Sequence, residues 1–299
     1  MLDPVAFRSD RLPTEHFDAR FSDDNIAFWV PLLIEAARIG PGLDVLDVGC
    51  GTGGFARPIA DSTGARVSGC DSCERFIEFG RQLPAPASGA VSWIVGDAEQ
   101  LPFGSATFDR VLLSLVLHQL ARPLAAVTEA FRVLRSGGLV LVWTIAPEDV
   151  ATRVPERYLP AMAAADAARL PPIETVVDWL EASGFEAADV RRHLRNKRLV
   201  LAEQERELRI EARCRYPFLA DSEVENAIER MRADAAGGEW IDARPTYTIV
   251  AAKRTGRPDR SRRTTPQGWA SFPRGRPQKR GQLTTAVAPL EESQEPAGV

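Results

Sequence analysis

The chain has 299 residues, 44% apolar and 26% charged, the proportions of a globular protein long enough to bury a large core without disulfides or metals. Its net charge of −4 is uneven: residues 255–299 carry +4 and residues 1–254 carry −8, so the body is a poor general partner for nucleic acid, whose phosphates need basic surface. No apolar run approaches the roughly 18 residues of a membrane span, the start lacks the pattern of a secretory signal, and Cys50, Cys70, Cys73 and Cys214 lack disulfide-framework spacing, so a cytoplasmic protein is expected.

Residues 1–40 read as helical. Asp23 or Asp24 caps a helix over 26–37, and Gly40-Pro41-Gly42 ends it. A short apolar strand over 43–48 runs into glycines, and the next helix contains 57–60. Strands at 66–70, 91–95, 108–115 and 139–145 then alternate with helices at 74–82 and 124–134. These strands are almost continuously apolar, as parallel strands covered on both faces are. The alternation predicts βαβ units and a doubly wound α/β sheet. Beyond Pro147 it loosens. Helices are expected at 161–170, 173–183, 198–213 and 222–235, with strands at 185–192 and 246–252. The segment 255–299 is rich in Arg, Pro, Gly and Thr, with too little apolar surface to offset chain entropy, and reads as disordered.

The first chemical signal is Asp47-Val48-Gly49-Cys50-Gly51-Thr52-Gly53-Gly54, between a strand and a helix. Glycines here let the chain turn tightly and a ligand approach the main chain, and the helix N-terminus offers free N–H groups. Gly49, Gly51 and Gly54 also fit a dinucleotide pattern, so the loop alone leaves NAD and other nucleoside cofactors open. Asp71 ends the second strand, where a carboxylate accepts hydrogen bonds from ribose hydroxyls or caps the helix that follows.

Further segments narrow the choice. Gly96-Asp97-Ala98-Glu99 follows the third strand, Phe108-Asp109-Arg110-Val111 forms the fourth, and Leu134-Arg135-Ser136-Gly137-Gly138 leads into the fifth. Together with the glycine loop they resemble the class I S-adenosylmethionine-dependent methyltransferases, in particular the branch with the ubiquinone/menaquinone-biosynthesis enzymes and many small-molecule methyltransferases. The likeness spans about residues 40–147, loosens to Arg254 and is absent from the tail. It implies a Rossmann-like sheet of seven strands, the last antiparallel and supplied by 246–252. It implies S-adenosyl-L-methionine as cofactor, with Asp47, Gly49, Gly51 and Gly53 around its methionine part and Cys50 among them. Asp71, with Ser72 beside it, would take the ribose, Asp97 and Ala98 the adenine, and Ser114 would line the site at the end of the fourth strand. It also implies an N-terminal helical lid at 1–40, a methyltransferase domain at 41–254 and substrate-side inserts at 148–172 and 198–235.

The chemistry is consistent with that likeness. Carboxylates at 47, 71 and 97 suit a cationic ligand with hydroxyls and an amine. In-line methyl displacement asks mainly for alignment and exclusion of water, and for a base only where the acceptor must lose a proton. His118, after the fourth strand, is the candidate base near neutral pH, with capping or packing against the next helix as its bland alternative. No His/Cys/Asp group has metal spacing, so no metal is expected. Candidate acceptor contacts are Phe17, Phe21, Trp29, Tyr158, Met162, Tyr216 and Phe218, each also a plausible core residue. The expected function is methyl transfer to a small, partly apolar molecule. The alternatives are a macromolecular acceptor recruited by the basic tail and a non-catalytic cofactor-binding protein.

Overall fold

Parallel pairing of short apolar strands builds the central sheet. β1 (Asp44–Val48), β2 (Arg66–Asp71), β3 (Ala90–Val95), β4 (Phe108–Ser114) and β5 (Leu134–Thr144) are parallel, and the strand order reverses at β1 and β4, which both flank the sheet's switch point. The computed structural model describes residues 14, 21–235 and 237–255; Phe17 and the tail beyond Thr255 lie outside them. β9 (Thr246–Arg254) runs antiparallel between β5 and β6 (Phe185–Leu194), giving the order β3-β2-β1-β4-β5-β9-β6. This is the seven-stranded sheet expected, with the last strand antiparallel.

Helices cover both faces. α1 (Asp23–Ala37) and α2 (Ala56–Thr63) bury Trp29, Leu33, Ile59 and Ala60 with Val45, Leu112, Leu141 and Ile249 on one face. On the other, α4 (Pro123–Val133) and α7 (Ile173–Ser183) bury Val127, Ala130, Val176 and Leu180 against Leu46, Val111, Leu113 and Val140. α3 (Glu74–Gln82) flanks β2 and β3. The remaining helices, α5 (Val154–Tyr158), α6 (Pro160–Ala167), α8 (Leu201–Arg215) and α9 (Asp221–Asp234), share a separate core around Met162, Leu208, Tyr216, Ile228 and Met231. Among the described residues, no helix is long and apolar enough to cross a membrane.

Two local expectations are corrected. Ser22, not Asp23 or Asp24, caps α1, accepting from the Asn25 N–H; the two aspartates occupy the first turn, where their charge favours the helix dipole. The helix closes at Arg38, at φ 50°, before the glycines. The helix expected from residue 198 starts at Leu201, because β7 (Lys197–Val200) pairs with β8 (Trp240–Ala243) in a second, antiparallel sheet. That pairing sets Leu199 and Ile241 against the helical core and Arg198 over the Trp240 ring, contacts between segments some 40 residues apart that local periodicity does not register.

The turn between β6 and β7 fastens α1. Arg195 donates to Asn25 Oδ1 (2.6 Å) and to the Asp24 carbonyl (2.9 Å), pairs with the Asp24 carboxylate, and stacks on Phe28. Lys197 reaches the same Asn25 oxygen at 3.0 Å. Arg195→Ala should cost about 1–3 kcal/mol, the scale of charged hydrogen bonds. Hydrogen exchange should show faster exchange in α1 while β1, β4 and β5 stay protected. Uniform loss of protection across the sheet would disprove such a local role.

Candidate functional site

The glycine loop leaves β1 through three residues at positive φ: Gly49 (70°), Gly51 (56°) and Gly53 (88°). A Cβ on Gly49 would lie 2.4 Å from the Val116 side chain, and one on Gly53 would lie 2.0 Å from the Trp93 ring. Asp71 braces the loop from β2: its carboxylate accepts from the Gly51 N–H and, on the other oxygen, from the Cys73 N–H, both at 2.8 Å. The residue thus opens α3 and tethers the loop at once.

A cavity of about 590 Å³, within the usual range for small-molecule sites, lies between the carboxyl ends of β1, β4 and β5 and the outer helices. Asp47, Gly49, Cys50, Ser114, Leu115 and His118 line its sheet side. Phe21, Trp29, Phe55, Trp143 and Tyr247 supply an aromatic wall. Arg153, Asp166, Arg169, Gln204, Glu211 and Arg215 face it from the outer helices and the segment before them. Buried polar atoms without a hydrogen-bond partner gather in these lining residues: Asp47 Oδ1, Ser114 Oγ, His118 Nδ1, Trp143 Nε1 and Arg215 Nε. Leaving such atoms unpaired is costly, so their convergence on one cavity marks a place built for a polar ligand.

The electrostatics differ from residue to residue. Burial, and then the neighbouring charge of Asp71, pushes the Asp47 carboxyl up to about 7, a site that gains from a cation. Burial raises the Cys50 thiol as well, so it is an inert, uncharged wall. His118 is pushed down to about 3 by burial and by the Arg169 and Arg215 charges. These causes favour the neutral imidazole.

Asp47, Gly49, Cys50, Ser114 and His118 share the cavity wall. Gly51, Gly53, Asp71, Ser72, Asp97 and Ala98 instead stand toward the β3 side of the loop, at the ends of β1, β2 and β3. There the Gly96 N–H reaches the Asp71 carbonyl at 3.0 Å and Asp97 accepts from the Glu99 N–H at 2.8 Å. Of the expected acceptor contacts, Phe21 and Trp29 line the cavity. Tyr158, Met162 and Tyr216 lie in the outer helical core instead, because their helices turn these faces toward each other, and Phe218 is exposed. Trp143 and the charged set Arg153, Asp166, Arg169, Glu211 and Arg215 were not legible as a site. The position of Trp143 at the end of the fifth strand was the one available signal; the charged residues are scattered over more than 60 positions with no motif.

The residues fit a cofactor with a cationic amine and a ribose: a buried Asp47 carboxylate with Oδ1 unpartnered, a close-approach glycine loop and Asp71 at the neighbouring strand end. Residues 46–142 match the family described as a methyltransferase domain. A ubiquinone/menaquinone biosynthesis C-methyltransferase of Cereibacter sphaeroides is 37% identical over 117 residues, 38% of this chain and 47% of that protein. The chain thus spans about half the length of the curated relatives of this kind. A demethylmenaquinone methyltransferase of Clavibacter sepedonicus is 29% identical over 210 residues, 64% of this chain and 83% of the relative. The YcgJ protein of Bacillus subtilis shares the fold, with a TM-score of 0.52 and 19% identity over 76% of this chain and 98% of its own. The chain thus carries a methyltransferase domain over residues 46–142, similar to that of the ubiquinone/menaquinone biosynthesis C-methyltransferases.

Proposed function

We propose that this chain transfers the methyl group of S-adenosyl-L-methionine to a small-molecule acceptor held in the cavity between the glycine loop and the outer helices. The observation that carries this reading is the buried Asp47 Oδ1, unpartnered, at the loop end of a cavity of small-molecule size. When bound, the cofactor supplies a methyl group activated by its sulfonium. Asp47 takes the ammonium, Asp71 and Ser72 the ribose side, and Asp97 and Ala98 the adenine. Gly49, Gly51 and Gly53 admit the ligand close to the main chain, with Cys50 and Ser114 beside it. Phe21, Trp29 and Trp143 exclude water from the reacting centre. Neutral His118 offers its unpartnered Nδ1 to the acceptor as a hydrogen-bonding group.

Labelled methyl groups from S-adenosylmethionine should appear in the small-molecule fraction of a host extract incubated with the purified protein. Removing residues 255–299 should leave that labelling unchanged. Label confined to protein or RNA, and lost with the tail, would overturn the small-molecule reading.

Asp71→Ala should weaken S-adenosylhomocysteine binding by about 1–3 kcal/mol, because it removes an acceptor for the ribose and the tether on Gly51. Calorimetric titration checks this; unchanged affinity would refute the ribose assignment.

A further inference from the structure

On the side of the outer helices the cavity is lined by charged groups of both signs. Arg153, Arg169 and Arg215 all line it. Arg215 has a side chain only 8% exposed, yet the nearest carboxylate oxygen, on Glu211, stands at 3.5 Å and its Nε has no hydrogen-bond partner. A guanidinium carries five N–H donors, and a buried one is normally saturated.

The neighbouring carboxylates offer less than their number suggests. Asp166 pairs with Arg169 and also accepts from the Tyr216 hydroxyl at 2.7 Å. Glu156 forms an ion pair with Arg153 at 2.7 Å, with neither carboxylate oxygen in a hydrogen bond; burial acts against its charge and Arg153 favours it. Glu203 and Glu207 line the same cavity from α8, where Glu207 accepts from Gln204. At His118, after burial, the charges of Arg169 and Arg215 act against protonation and that of Asp166 favours it. At the other wall Arg195 and Lys197 share one carboxylate, Asp24.

Resting on the methyl-acceptor reading above, we propose that the acceptor carries an anionic group, a carboxylate or a phosphate, held at the wall of Arg153, Arg169 and Arg215. The desolvation of these guanidinium groups is a cost already met in folding, so an anion entering between them gains charge-assisted hydrogen bonds without that cost being incurred again. A neutral acceptor would leave Arg215 Nε buried and unpaired. The aromatic residues at the sheet end then hold the apolar part of the same molecule, and the charged end fixes which of its atoms faces the methyl group.

The test titrates the full chain, with and without saturating S-adenosylhomocysteine, with benzoate, phenyl phosphate and neutral benzamide. One anion should bind at least about tenfold more tightly than benzamide, as expected for a charged hydrogen-bonded pair. The stronger anion distinguishes a carboxylate acceptor from a phosphate one. The preference should fall in the paired variant R215Q/E211Q, which removes both charges together, and fall less in R215K, with S-adenosylhomocysteine affinity unchanged in each. Equal binding of the three probes, binding of none, or an anion preference intact in R215Q/E211Q overturns the proposal. Failure to bind S-adenosylhomocysteine would instead sink the methyl-transfer reading, and the contrast between probes would still be measurable.

Discussion

Asp47→Asn should stabilise the ligand-free protein at pH 8 by about 2–4 kcal/mol and weaken S-adenosylhomocysteine binding about tenfold or more. The two effects share one cause. Asp47 is buried beneath the glycine loop, with Oδ1 unpaired, and its carboxyl is pushed from 3.8 to about 7. The folded ligand-free protein therefore holds a proton there that the unfolded chain releases. Stability from this group is present below about pH 4, falls as pH rises through the interval from 3.8 to about 7, and is lost above it. Asparagine has no charge to desolvate, so the variant should lose that slope. An ammonium placed beside Asp47 reverses the balance, because it favours the ionised form. Ligand affinity of the native protein should accordingly rise between about pH 5 and pH 7, and that of the variant should not. Denaturant unfolding at several pH values, paired with calorimetric titration, measures both. An Asp47→Asn protein that binds as tightly as the native one would exclude the ammonium role.

Gly53→Ala should cost about 2–5 kcal/mol, from left-handed strain together with overpacking. Gly53 stands at φ 88°, and an added Cβ would meet the Trp93 ring at 2.0 Å. The ring cannot withdraw easily: Cβ atoms built on Gly69 and Gly80 would also lie 3.1 Å and 2.9 Å from it. Glycines from the loop, β2 and α3 thus make room for one indole. Relief must come from a shift of the loop itself, which carries Gly51 and its hydrogen bond to Asp71. The expected result is a lower melting temperature together with weaker cofactor binding. The pair Gly53→Ala/Trp93→Leu should recover part of the stability; no recovery would mean that backbone conformation, not the ring, sets the cost.

The sheet was legible because its signals are local. Apolar runs of five to seven residues bounded by turn residues need no knowledge of their partners, and the glycines at 49, 51 and 53 state by themselves that the chain must turn through positive φ. The cavity wall on the acceptor side was not legible. Arg215 reads in sequence as one more charge on an amphipathic helix; only the tertiary fold, which sets the end of α8 at the cavity, makes it a buried cation near His118. Tyr216 and Met162, plausible contacts by residue type, were drawn into the helical core because apolar burial is indifferent to function. His118 shows the same limit: its position after the fourth strand is a matter of sequence, but its basicity is not. A pKa depends on the solvent and charges around the ring, here burial first and then Arg169 and Arg215, brought about by folding alone.

The sequence by itself determined the doubly wound α/β sheet, the glycine loop and the acidic residues at the strand ends, because backbone conformation and strand burial are written in short runs. Only the tertiary structure decided which side chains meet across the cavity, which of them remain charged and which atoms lack a partner. Those are properties of distance and dielectric between segments far apart in the chain.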